Sequence, residues 1–350
     1  MDGESAPRIL VVRLGSMGDI IHALPAVAML RRALPAATIG WVVEQHWAAL
    51  LSTSARGEQK PLLDLVHTVN TRAWRAALLS DETWREAAAA IGELRRGNYD
   101  VALDFQGAFK SALLAQLSRA PRRIGFAQPR EKPATLFYSH QVLARGRHII
   151  EQNLSLAASV TPLSDRQKIS FPLPQDADAE RVCEQQLRAR GLGEFAILTP
   201  GAGWGAKCWP AERYAEVARA LCAEGLRSIV NYGPGEKELA RAAEAGSGGA
   251  AAAIPCSVGE LIAFTRRARL FIGSDTGPMH LAAALGVPVV ALFGPTDPAR
   301  NGPYSTNNIV LRHASSQTTT SHRPHPDEGL LRITAQEVIA AARSLLKVRP

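Results

Sequence analysis

The sequence predicts an α/β protein of two doubly wound, Rossmann-like domains facing a central cleft. Three observations predict it. Short, β-branched apolar runs alternate with helical patterns along the chain, as in a parallel sheet covered by helices on both faces. The alternation is interrupted once, at residues 161–180, where Pro162, Pro172 and Pro174 stand among polar residues, and then it restarts. The 350 residues are enough for two domains, and a hydrophobic content of 46% is that of an ordinary globular protein with a sizeable core. Two such domains joined by a linker imply a cleft, where ligands tend to bind.

The elements follow in order. Ile9 to Leu14 reads as a buried strand. Gly15, Ser16, Met17 and Gly18 break the chain, and Asp19 opens a helical pattern through Ile20, Ile21, Leu24, Val27 and Ala28. This is the first half of a βαβ unit, whose turn lies at the carboxyl edge of the sheet. Asp19 is therefore either a helix cap or a carboxylate at the floor of the cleft. Thr38 to Glu44 is a second strand, and residues 52–60 are polar and loop-like. Trp84 to Leu94 is an alanine-rich helix. Val101 to Phe105 is a strand, followed by a helix from Phe109 to Leu117.

Residues 119–132 carry Arg119, Arg122, Arg123, Arg130 and Lys132 against one acid, Glu131. They read as a solvated basic loop or as an anion site. In the second half, Phe195 to Thr199, Arg227 to Tyr232, Leu270 to Gly273 and Val289 to Phe293 are strands. Helices run from Pro210 to about Glu224, from Glu236 to Ala245, from Ser257 to about Arg267 and from Met279 to Leu285. Residues 314–328 are polar and expected to be mobile. His322 and His325 there lack further metal ligands. A last amphipathic helix, Thr334 to Lys347, is expected to pack on the body of the protein. The predicted domains are 1–165 and 180–330, with 331–350 as that closing helix.

Composition narrows the partners. The formal charge of +8 suggests an anionic partner without choosing between nucleic acid, membrane headgroups and a charged sugar. Four widely spaced cysteines, Cys183, Cys208, Cys222 and Cys256, suggest neither a zinc site nor a disulfide framework. Reduced thiols and a cytoplasmic location are expected. The first apolar run is short and carries Arg13, unlike a signal peptide, and no segment qualifies as a membrane span.

Three loops of the second half carry chemistry. Pro200 to Lys207, PGAGWGAK, offers backbone N–H groups and a lysine suited to a phosphate, although it is neither a Walker A loop nor G-x-G-x-x-G. Gly273 to His280, GSDTGPMH, lies between strand and helix, where a helix N-terminus attracts anions. Asp275 in that turn would repel a phosphate, so it is expected to accept bonds from sugar hydroxyls or to fix the turn. Gly294 to Asp297, GPTD, follows the next strand.

These residues resemble the ADP-heptose:lipopolysaccharide heptosyltransferases, glycosyltransferase family 9. The motifs VVRLGSMGDIIHALPA, LDFQGAFKSA, PGAGWGAKCWP, IGSDTGPMHLAAALGVPVVALFGPTDP and RITAQEV stand in family order over nearly the whole chain. WVVEQHW, REKPATLFY and the QG-x-x-KSA run resemble the type that adds the first heptose to the Kdo–lipid A inner core. PGAGWGAKCWP is closer to the second-heptose pattern. Two departures are visible: residues 314–328 lack the cysteine of many relatives, and Ala202 and Gly203 replace hydroxyl residues.

The resemblance implies a GT-B fold and an inverting, metal-independent transfer with no cofactor. The N-terminal domain would take the acceptor and the C-terminal domain the ADP-sugar. Asp19 matches the catalytic base, and Lys207 would stabilise the leaving diphosphate. Gly201, Ala202, Gly203, Lys207, Asp275, Thr276, Gly277 and His280 would bind the donor. Gly15, Ser16, Met17, Gly18, Arg72, Arg75, Lys110 and Arg130 would meet an anionic glycolipid, Kdo–lipid A. The protein would act as a monomer, peripheral on the inner face of the cytoplasmic membrane, without nucleic acid. The rivals are a second-heptose enzyme, a relative using another nucleotide sugar, and a non-catalytic nucleotide- or RNA-binding protein. An aromatic content of 6% and the absence of an RNA-binding signature argue against RNA.

Overall fold

The computed structural model describes residues 6–52, 60–162, 169–319, 321 and 323–347. The chain divides into two units, Met1–Pro174 and Gln175–Pro350. The division falls inside the proline-rich stretch 161–180.

The first unit runs β1 (Arg8–Val12), α1 (Met17–Ala33), β2 (Thr38–Glu44), β3 (Leu65–Val69), α2 (Thr71–Ala76), α3 (Asp81–Arg96), β4 (Val101–Asp104), α4 (Phe109–Leu117), β5 (Arg122–Phe126), β6 (His140–Val142) and α5 (Ile149–Ala157). Its six strands are ordered β3-β2-β1-β4-β5-β6 and every pairing is parallel. The second unit runs α6 (Ala177–Ala189), β7 (Phe195–Thr199), α7 (Ala211–Ala223), β8 (Arg227–Tyr232), α8 (Lys237–Gly246), β9 (Ala251–Pro255), α9 (Val258–Arg267), β10 (Leu270–Ser274), α10 (Gly277–Ala284), β11 (Val289–Phe293), α11 (Pro298–Asn301), β12 (Asn308–Arg312), α12 (Glu328–Arg332) and α13 (Ala335–Lys347). Its order, β12-β11-β10-β7-β8-β9, is the same doubly wound arrangement, again parallel throughout.

Parallel strands covered on both faces are continuous apolar runs rather than alternating ones. Ile9, Leu10, Val11 and Val12 are fully buried, as are Val289 to Phe293. α1 is buried nearly all round, which accounts for its sequence from Ile20 to Leu30 being apolar except at His22. α13 buries Val338, Ile339, Ala342 and Leu345 in the core cluster formed with β7, α7, β10 and β11.

The strand order decides where chemistry can sit. In each sheet the direction of winding reverses at one pair, β1/β4 in the first and β7/β10 in the second. The loops after these strands diverge to opposite faces and open a crevice at the carboxyl edge. The glycine turn before Asp19 follows β1, LDFQG closes β4, the Pro200–Lys207 loop follows β7, and Ser274–Gly277 follows β10.

Several expectations change. The basic stretch 119–132 is not a loop throughout: Arg122–Phe126 forms β5, with Ile124, Gly125 and Phe126 buried. Arg123 donates to the Phe137 and Ala120 carbonyls, so the structure itself uses that cation. Residues 177–180 begin α6, capped by Asp176, whose carboxylate accepts from the Asp178 and Ala179 N–H groups. The polar segment 314–328 is tied down at several described positions. Ser316 Oγ donates to Asp327 Oδ1 at 2.5 Å, and Thr319 N to the Pro295 carbonyl at 2.9 Å. His322 lies outside the described residues, as do residues 53–59 of the expected loop 52–60. Among the described residues no helix is long and apolar enough to cross a membrane.

Candidate active site

In the first unit, Ser16 precedes α1 and Asp19 is its third residue. The Ser16 N–H and Oγ both donate to Asp19 Oδ2 at 3.0 Å, closing a capping box. The other oxygen, Oδ1, meets Arg13 Nη2 at 2.5 Å. Asp19 is thus a cap and a charge-paired group at the switch point at once. Of the turn residues, Ser16 is exposed, Gly15 is half-buried, and Met17 and Gly18 are buried. The Trp47 indole lies 3.1 Å from where a Gly15 Cβ would stand, so a side chain there would have to displace it.

The LDFQG motif supports this turn. Asp104 is fully buried, and its carboxylate accepts from the Gln106 and Gly107 N–H groups, Ser111 Oγ and Tyr138 Oη at 2.7–3.1 Å. Burial pushes its carboxyl up, against the pull of those bonds. The shaped loop sends Gln106 Oε1 to the Leu14 N–H at 2.9 Å and the Phe105 carbonyl to Arg13 Nη1. Asp104 is a residue that sequence reading passed over, although the QG turn after a strand signals a loop needing an acceptor.

Four of the acceptor candidates, Lys110, Arg72, Arg75 and Arg130, lie on segments at this edge. Lys110 Nζ donates to Thr71 Oγ1 at 3.2 Å and lies 3.6 Å from Glu44 Oε1, whose side chain is buried. Thr71 opens α2, and Arg72 and Arg75 stand exposed on that helix. Arg130 is exposed next to Glu131, whose N–H donates to the Gly107 carbonyl and whose carboxylate accepts the Phe109 N–H. Glu131 thus pins the Arg130 segment to the start of α4.

In the second unit, the loop after β7 ends in a short 3-10 turn, Gly205–Lys207. Lys207 Nζ donates to Asp275 Oδ2 at 2.7 Å and to the Asp275 carbonyl at 2.9 Å. His280 Nε2 lies 3.0 Å from Asp275 Oδ1. The Lys207 ammonium also stands 5.2 Å from the Trp204 ring centroid. Asp275, 4% exposed, therefore fixes both Lys207 and His280. Burial alone would raise its carboxyl; the hydrogen bond and charge of His280, then those of Lys207, outweigh that and hold it well below the usual carboxylate range. It stays ionised through neutral pH.

Thr276 precedes α10, and its hydroxyl donates to the Ser274 carbonyl instead of capping the helix. Gly277 is the first helical residue. Gly201 is buried, Ala202 half-buried and Gly203 exposed along the first loop. Glu236, in the loop after β8, lies against Gly201 and accepts the Gly233 N–H at 2.8 Å. Sequence reading passed over this carboxylate because the loop resembles an ordinary Gly-Pro-Gly turn. Asp297 caps α11 through the Ala299 N–H. Among the described residues no three His, Cys, Asp or Glu side chains gather as a metal-binding group.

Residues 323–327 wall the Lys207 loop. Ala206 N donates to the Arg323 carbonyl and Asp327 N to the Ala206 carbonyl, both at 3.1 Å. A Cβ on Gly205 would come within 1.9 Å of the Pro324 carbonyl oxygen. Backbone must then move, so Gly205→Ala is expected to cost about 1–3 kcal/mol of stability, the scale of core overpacking. Thermal unfolding measures it, and an unchanged melting temperature would release the 323–327 segment from this role.

Comparison with known proteins joins these observations. Residues 88–330 match glycosyltransferase family 9 (heptosyltransferase). Lipopolysaccharide heptosyltransferase 1 of Escherichia coli is 29% identical over 344 residues, 97% of this chain and 100% of that protein. Its namesake in Pseudomonas aeruginosa is 31% identical over 312 residues, 87% of this chain and 83% of that one. The solved structure of the Escherichia coli heptosyltransferase WaaC with ADP matches with a TM-score of 0.79 at 28% identity, over 97% of this chain and 99% of that one. With two parallel sheets wound alike, charged side chains at both switch points and relatives matching over most of their length, the chain has the GT-B fold and belongs to glycosyltransferase family 9.

Proposed function

We propose that the protein transfers heptose from ADP-L-glycero-D-manno-heptose to the Kdo–lipid A inner core in lipopolysaccharide core synthesis, with inversion at the anomeric carbon. The observation that carries this reading is the near full-length likeness to heptosyltransferase 1 of Escherichia coli. The geometry supports it. Asp19 has the chemistry of a general base for the acceptor hydroxyl, and its place in the first turn of α1 favours the carboxylate. Lys207, Thr276 and Gly277 gather an ammonium and a helix N-terminus, the groups that suit a diphosphate. Glu236 is a carboxylate suited to ribose hydroxyls at the same sheet edge.

Lys110, Arg72, Arg75 and Arg130 suit the phosphates and carboxylates of the acceptor. The formal charge of +8 favours the inner leaflet of the cytoplasmic membrane, where the protein would act peripherally and as a monomer. A donor-by-acceptor matrix with purified protein tests the reading through the mass gained by the acceptor. ADP-heptose with Kdo–lipid A should give one added heptose. Turnover only with an already heptosylated acceptor would indicate second-heptose transfer, and no ADP release with any pair would indicate a binding protein.

The reading includes metal independence. The positive group beside Asp275 is a side chain, Lys207, and it can oppose charge on a leaving diphosphate. Activity is expected to be unchanged within about twofold by EDTA, less than ~0.5 kcal/mol in the barrier. Loss with EDTA and recovery with magnesium would overturn this account of the leaving group.

A further inference from the structure

The Ser16–Asp19 capping box needs no arginine, yet Arg13 is brought to it at a cost. Its side chain is 10% exposed, and burying a guanidinium costs several kcal/mol unless it is paired. The main chain is clamped on both sides: Arg13 N donates to the Val42 carbonyl at 3.3 Å, and Trp41 Nε1 donates to the Arg13 carbonyl at 2.9 Å. The guanidinium then forks. Nη1 goes to the Phe105 carbonyl at the end of β4, and Nη2 to Asp19 Oδ1. Nε is buried without a hydrogen-bond partner among the described residues. A buried donor left unpaired calls for a reason other than stability.

We propose that Arg13 is a positioning residue of the transfer reaction, anchored on the Phe105 carbonyl and holding the Asp19 carboxylate in one orientation and in its charged form. The inference rests on the reading of Asp19 as the base. In the step it serves, the acceptor hydroxyl passes its proton to Asp19 as its oxygen bonds the anomeric carbon, and the bond from that carbon to the diphosphate breaks, its electron pair leaving with ADP. One Asp19 oxygen belongs to Arg13 and the other to Ser16, so rotation of the carboxylate is blocked from both sides. A base held within hydrogen-bond reach contributes through geometry as well as proton affinity. The LDFQG motif then contributes to the reaction as well as to the fold, because Asp104 shapes the loop whose Phe105 carbonyl aims the arginine.

The test compares pH profiles of kcat/KM for wild type, Arg13→Met and Arg13→Lys. Removing a cation from beside a carboxylate makes that carboxylate easier to protonate. In Arg13→Met the acid limb should move to higher pH by about 1–3 pH units, and the loss should be greater at pH 6 than at pH 8. Arg13→Lys keeps the charge and loses the fork. Its limb should stay within half a unit of wild type, while kcat falls about tenfold or more from misplacement. The other charged or titratable groups on β1, α1 and the elements packed against them are Arg8, His22, Arg31, Arg32, Glu44, His46, Asp104, Lys110 and Glu151, with His148 capping α5. All are retained in both variants, so the difference between profiles belongs to Arg13.

A profile that falls uniformly with pH in Arg13→Met, or a lysine variant with wild-type kcat, overturns the proposal. If the methionine variant does not fold, the lysine variant decides: a shifted acid limb or unchanged kcat overturns it, and the expected profile supports it. An active Asp19→Asn would instead sink the base reading, which separates the two failures.

Discussion

Asp19→Asn is expected to fold as the wild type does and to lose a hundredfold or more in kcat, the usual scale for removing a general base. The structure makes this substitution more discriminating than sequence alone suggested. Asp19 closes the capping box of α1, and an asparagine oxygen can still accept from the Ser16 N–H and Oγ. The helix start should survive. The loss of charge opposite Arg13 falls on a carboxylate that is 33% exposed, so solvent moderates it. A drop of about 1–3 kcal/mol is expected, from the weakened cap and from the largely buried Arg13 guanidinium left facing a neutral group. Circular dichroism and thermal unfolding read the stability, and single-turnover kinetics at saturating donor and acceptor read the chemistry. Near-wild-type turnover together with a lowered melting temperature would leave Asp19 a helix cap and nothing more.

For Lys207→Ala the expected loss is about 2–4 kcal/mol of transition-state stabilisation, by analogy with removing one preorganised donor. The leaving ADP gains charge as the glycosidic bond breaks. An ammonium opposes that charge more strongly in the transition state than in the bound donor, so kcat should fall along with donor affinity. Asp275 does not cancel this role. An ammonium has three donors, and the Asp275 carboxylate and carbonyl take two of them. The pairing fixes the lysine at the start of α10, where a diphosphate would also meet the Thr276 and Gly277 N–H groups. The substitution also removes one partner from a carboxylate that is 4% exposed, while His280 remains at 3.0 Å. Some loss of stability is therefore expected and must be measured separately by thermal unfolding. The acceptor KM should be nearly unchanged. A rise confined to the acceptor KM would overturn the assignment of the donor to the second unit.

Much of the architecture was legible because a parallel sheet buries its strands on both faces. Thr38–Glu44, Phe195–Thr199, Arg227–Tyr232 and Val289–Phe293 read as strands at the bounds they have. The missed strands gave weaker signals. β9 is largely alanine, β12 is an edge strand of part-buried residues, and β3 and β6 are edge strands of few residues with exposed positions. β5 was hidden because its first two residues are arginines at the sheet end, and charge suggested a loop. α6 was masked by the prolines before it, although Asp176 is an ordinary cap signal.

The candidate site divides in the same way. The sequence by itself determined the strand-turn-helix units, the loops at their carboxyl ends, and Asp19, Lys207, Asp275 and His280 as the residues to watch, because turn chemistry and periodicity are local. Only the tertiary structure decided that both sets of loops stand at the points where winding reverses, since strand order depends on pairings distant in sequence. The same holds for partners. Asp275 gives its oxygens to Lys207, 68 residues away, and to His280, partners that the sequence, which offered sugar hydroxyls or a fixed turn, did not name. The chain by itself assigns no site role to Asp104 or Arg13, because neither has a local signature. Their roles arise from the packing of β1 beside β4, which brings the Phe105 carbonyl, 92 residues on, to the arginine that faces Asp19.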